Sequence, residues 1–134
     1  MNPKFVLGAI VGALLTAQPT PRHSVVNLAT ARWTRDSAST ESVVLREDDR
    51  ATEYLVRVPA GHVFRPHWHS MDERIVLLEG RLSIQQGEGA AALVDGRGYA
   101  FLPARDVQHT RCVSDSPCVF YVYWDGKLDF HAAQ

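Results

Sequence analysis

The sequence predicts an all-β domain, a sandwich or barrel of short strands, and three observations carry that prediction. From Ser42 onward, short runs suited to strands alternate with Gly, Pro and Asp turn signals at about 8–12-residue intervals. No stretch beyond residue 30 sustains a 3.6-residue apolar period. Residues 53–58 alternate Tyr54, Val56 and Val58 with Glu53, Leu55 and Arg57, the pattern of a strand with one face on a core. A length of 134 residues suits one domain around one core.

In chain order, residues 1–20 are different in kind. Lys4 supplies a positive charge, Phe5 to Leu15 is an unbroken apolar or glycine run, and Thr16 to Pro19 closes it with small and polar residues. This is the pattern of a secretory signal peptide, with cleavage expected near Ala17. The run is too short to span a bilayer, so no stable membrane anchor is expected after cleavage. The protein is therefore expected to be exported, to the periplasm or the medium.

Residues 21–41 form an N-terminal extension rich in Pro, Ser, Thr and Ala. Within it, residues 25–28 suggest a short edge strand, and Trp33 is expected to pack against the barrel wall. Residues 42–131 hold the barrel. Strands are expected at 42–47, 52–58, 62–64, 67–69, 73–79, 81–86, 91–94, 99–102, 107–113 and 118–124. The turns between them carry Asp48-Asp49, Pro59-Ala60-Gly61, Gly80, Gly87-Glu88-Gly89, Asp95-Gly96, Pro103 and the run from Ser114 to Pro117. In the last strand Val119, Tyr121 and Tyr123 face one way and Phe120, Val122 and Trp124 the other, with nothing local to say which set is inside.

The stretch from Gly61 to Gly80 carries the chemistry. His67 and His69 stand two apart, so on a strand both imidazoles point to one face, and Glu73 follows with the same parity. Two neutral imidazoles and a carboxylate suit a divalent first-row transition metal and leave coordination positions open. The spacing Gly61, His67, His69, Glu73, Gly80 resembles, without a gap, the first motif of the cupin superfamily. The stretch from Gly98 through Pro103 to His109 resembles the second motif with departures. Gly98 is one residue too close to Pro103, and Arg105 stands in place of a turn glycine. His109 lies six residues after Pro103 rather than five, and Val113 replaces an asparagine. A turn one residue longer would bring His109 inward as a fourth ligand. The aromatic tail from Phe120 to His131 is similar to the closing segment of small exported single-domain cupins.

The resemblance implies a double-stranded β-helix, or jelly roll, holding a metal through His67, His69, Glu73 and His109. If His109 turned away, a two-histidine, one-carboxylate facial triad would remain, which suits Fe(II). Fe, Mn, Ni, Cu and Zn are all compatible with these donors. The implied partner is a small molecule. One reading is a metal-dependent enzyme of dioxygenase or isomerase type, for which Arg57 or Tyr121 could supply a polar group. The other is a non-catalytic cupin that binds or senses a metal or small ligand. A metal-free scaffold is a third, opposed by the complete first motif. His23, His62 and His131 are expected to be ordinary histidines. No catalytic residue and no organic cofactor is indicated, and the oligomeric state stays open, a homodimer included.

Cys112 and Cys118 flank a short hairpin loop and are expected to pair as a disulfide in an oxidising compartment. A formal net charge of -1 leaves no electrostatic footprint for nucleic acid or anionic lipid.

Overall fold

A computed structural model describes residues 23–36 and 39–134. The expected signal segment, with its cleavage point near Ala17, lies outside the described residues. After one 3-10 turn over Leu28–Thr30, eleven strands follow. They are β1 (Thr34–Arg35), β2 (Glu41–Glu47), β3 (Thr52–Val58), β4 (His67–Trp68), β5 (Glu73–Glu79) and β6 (Leu82–Gln86), then β7 (Ala92–Val94), β8 (Tyr99–Leu102), β9 (Gln108–Cys112), β10 (Cys118–Trp124) and β11 (His131–Ala132).

The strands form two antiparallel sheets, in the orders β1-β2-β3-β10-β5-β8 and β11-β4-β9-β6-β7. This is the expected all-β jelly roll. Strands β3, β5, β8 and β10 have the bounds that composition and turn signals predicted. Residues 25–28 are not a strand; the short edge strand is β1, which pairs Thr34 with Ser42. Residues 62–64 make only a single bridge, Val63 to Arg111. Trp33 does reach the barrel wall, with the Arg57 guanidinium 4.3 Å from its ring centroid.

The core lies between the sheets. Strand β10 is β-branched and aromatic along its length and is central, pairing with β3 on one side and β5 on the other. Its inward set is Phe120, Val122 and Trp124, all buried. They meet Val56 and Val58 of β3, Ile75 and Leu77 of β5, and Leu82, Ile84 and Cys112 of the opposite sheet. Burying such side chains supplies roughly 1.5–3 kcal/mol each.

Two turns explain the motif glycines and their absence. Gly80 has φ +85°, and a Cβ there would lie 2.9 Å from Cys118 Sγ, Pro117 O and Ser114 Oγ. Only glycine fits both demands. Arg105 occupies the place where the second motif has its turn glycine, and its backbone keeps the left-handed conformation at φ 67°. The turn therefore survives without the glycine, at a cost of about 1 kcal/mol. Its N–H donates to His69 O at 2.8 Å, which secures the turn against the histidine strand.

Cys112 and Cys118 form the expected disulfide, with Cα atoms 5.9 Å apart. Both cysteines are fully buried against the sheet.

Candidate metal centre

His67, His69 and Glu73 face the space between the sheets and are buried, with relative exposures of 8%, 5% and 5%. Strand β4 is only two residues long, yet its parity sends both imidazoles inward, as the spacing predicts. The rings meet edge-on with centroids 4.9 Å apart. Glu73 opens β5, whose buried positions continue through Ile75 and Leu77.

Each imidazole is oriented by a backbone carbonyl. His67 Nδ1 is 2.6 Å from Arg65 O, and His69 Nδ1 is 2.5 Å from Asp129 O. A carbonyl only accepts, so Nδ1 carries the proton in both rings and each Nε2 keeps its lone pair. Burial lowers the pKa of both, against the opposing pull of those carbonyl bonds, and for His69 also against the charge of Asp129. Both rings are thus held neutral, the state in which imidazole donates to a metal.

His69 Nε2 stands 3.4 Å from Glu73 Oε2. Burial pushes the Glu73 carboxyl up to about 7, with Gln108 and Trp124 pulling it back. The Gln108 amide donates to Glu73 Oε2 at 2.6 Å, and Thr110 Oγ1 lies 3.5 Å from Gln108 Oε1. The Trp124 indole N–H is close enough to favour the carboxylate, but it is buried without a well-formed hydrogen bond.

His109 is not brought to this point. On β9 the buried residues are Gln108, Thr110 and Cys112, while His109 and Arg111 are exposed on the outer face. The turn after Pro103 is not lengthened: the residue five places after Pro103 is Gln108, and it takes the inward position where the motif has histidine. A one-residue offset on a strand reverses the face, which is why His109 points out. Counting from Pro103 without inserting a residue would have found Gln108. As the side chains lie, no three His, Cys, Asp or Glu among the described residues form a group able to hold a metal ion.

Arg57 and Tyr121 are not available to the pocket either. Arg57 pairs with Glu41 at 2.8 Å, and the Tyr121 hydroxyl donates to Glu53 at 3.0 Å, both on the outer face. His62 sits edge-on to Phe64 with Nδ1 3.2 Å from Ser39 Oγ. His131 stacks on Trp68 at 3.9 Å. Neither lines the cavity.

The cavity above Glu73 has a volume of about 500 Å³. Phe120, Val122 and Trp124 form one wall, and the chain beyond β10 forms another through Leu128 and Phe130. Phe130 stacks on His67, with centroids 4.6 Å apart. Nothing in the sequence spacing marked Asp129 or Phe130, because their roles depend on where the tail crosses the barrel.

The fold is similar to several solved structures. The polyketide cyclase RemF from Streptomyces resistomycificus superposes with a TM-score of 0.70 at 17% identity, over 84% of this chain and 87% of that one. A cupin-superfamily sugar phosphate isomerase from Silicibacter pomeroyi gives 0.68 at 18% identity, over 83% and 82%. At these identities the likeness is one of fold. In sequence, the chain is 35% identical over 80 residues to the DNA damage-repair/toleration protein DRT102 of Arabidopsis thaliana. That alignment takes in 58% of this chain but only 25% of the length of the relative. Residues 21–127 match the family described as the ChrR Cupin-like domain. The match takes in every strand of the barrel but the last, and the chain belongs to that cupin family.

Proposed function

We propose that this cupin binds one divalent transition metal through His67, His69 and Glu73, and acts on a small organic molecule in the cavity above them. The observation that carries the proposal is the pair of carbonyl acceptors that keep the proton on Nδ1 and leave both Nε2 atoms as lone-pair donors, that of His69 3.4 Å from the buried Glu73 carboxyl. Metal-binding histidines are typically oriented by an acceptor on the other ring nitrogen. The donors do not already form a closed group, so binding has to draw them together. Gln108, held by Thr110, positions the Glu73 carboxylate and supplies a neutral amide where the family motif has a fourth imidazole.

A metal bound there would polarise a substrate oxygen or activate a bound water. The apolar wall excludes bulk water from that point, and in the metal-free chain burial pushes the Glu73 carboxyl up to about 7, so a metal held there would displace its proton. The same reading takes the protein to be exported, which the buried Cys112–Cys118 disulfide favours.

The test is metal content followed by turnover. Protein refolded with Fe, Mn, Ni, Cu or Zn in turn should retain one ion per chain, and His69→Ala should retain none. If wild-type protein retains none of the five, the metal reading is wrong. A loaded protein that turns over no substrate in screens with and without dioxygen would place it among the non-catalytic binding cupins instead.

A further inference from the structure

The cavity is lined by a carboxyl group that metal binding does not use, that of Asp36. Five aromatic rings line it, those of Tyr54, Phe64, Phe120, Trp124 and Phe130, and no lysine or arginine lines it among the described residues. Two carboxyl groups line it, that of Glu73 buried and that of Asp36 exposed at the mouth. Asp36 follows β1, and its backbone N–H donates to Thr40 O at 2.9 Å, which sets it on the rim.

Among the described residues Asp36 makes no ion pair. The nearby cations are committed elsewhere. Arg57 is bound to Glu41, and Arg35 lies with it along a separate outer groove. The Asp36 charge reaches Tyr54, a residue that lines the cavity. After burial and the hydrogen bond to Glu47, it adds to what raises the Tyr54 phenol.

A carboxylate at the mouth of a low-dielectric cleft draws cations toward it. Aromatic faces behind it favour a cation over an anion. Without a metal, an anionic ligand would lose its hydration in this cavity and find no lysine or arginine to replace it. We propose that the ligand is an amphipathic cation, with an apolar or aromatic body against the rings and an amine or quaternary ammonium group at Asp36. This rests on the preceding reading only in taking the cavity as the ligand site.

The experiment uses three probes of one shape and different charge: phenethylamine, 2-phenylethanol and 3-phenylpropionate. Each is titrated calorimetrically against full-length protein stripped of metal with a chelator, as wild type and as Asp36→Asn. The amine should bind roughly fivefold or more tighter than the alcohol, and the acid weakest. In Asp36→Asn the amine should fall to within about twofold of the alcohol, whose own Kd is the control for an intact cavity. Equal binding of amine and alcohol, an acid that binds as well as the amine, or no binding by any of the three overturns the proposal. The series runs without metal, so a failure of the metal reading leaves it intact. Retained metal with a failed series removes only the assignment of ligand charge.

Discussion

His69 and Asp129 are sixty residues apart in the chain, and the Nδ1–H of the first donates to the backbone carbonyl of the second at 2.5 Å. The contact makes the C-terminal segment part of the site. Asp129 Oδ1 also accepts the Ser70 N–H at 2.9 Å, Phe130 stacks on His67, and β11 pairs with β4 across His131 and Trp68. The tail therefore orients the His69 imidazole, stacks on that of His67 and walls the cavity at once.

Truncation after Lys127 should accordingly damage the site more than the barrel. We expect metal affinity to fall about 10- to 100-fold, the usual effect of removing the partner of a ligating histidine. Circular dichroism should still show the β fold, since the main core lies before residue 125. Competition with a chromophoric chelator reads the affinity, and an unchanged value refutes the role given to the tail.

His109 and Gln108 make a sharper pair. His109→Ala should leave metal content and affinity unchanged, because the ring is on the outer face. Gln108→His should tighten binding, since it places an imidazole at the inward position beside Glu73. A loss of metal in His109→Ala would show that the ring reaches the site after all.

Glu73 gives the metal-free protein a definite pH dependence. Its carboxyl titrates at about 7 in the folded state against an ordinary 4.5. Between those values the folded chain binds more protons than the unfolded chain, so stability falls as pH rises, by up to about 3 kcal/mol. The contribution is complete below 4.5 and gone above 7. His67 and His69 act in the opposite sense below 6.5, because burial lowers their pKa. Glu73→Gln keeps those histidine terms and removes the carboxyl, so the difference in urea stability between variant and wild type should grow from pH 5 to pH 8. A constant difference would contradict a raised Glu73. Metal affinity should rise through the same window, as the carboxylate becomes available.

The disulfide closes a small loop, with the two cysteines six residues apart. The chain-entropy model puts its contribution at about 2 kcal/mol. The Cys112→Ser/Cys118→Ser variant should lose at least that much in urea unfolding, because two buried positions become polar. Thiol labelling of denatured, unreduced wild-type protein should find no free thiol.

Much of this was written locally. Turn residues and alternation marked most of the strands, because both are set by φ/ψ preference and a period of two. The parity of His67, His69 and Glu73 was legible for the same reason. Which face of β10 is inside was not, because Phe120 and Tyr121 are equally good strand residues; pairing with both β3 and β5 decided it. The inward place on β9 fell to Gln108 rather than His109 through strand register, where one residue reverses the face. Asp129 and Phe130 had no local signature at all. Their part in the site comes from the path of the tail back to β4, a contact between residues far apart in sequence that only the folded chain creates.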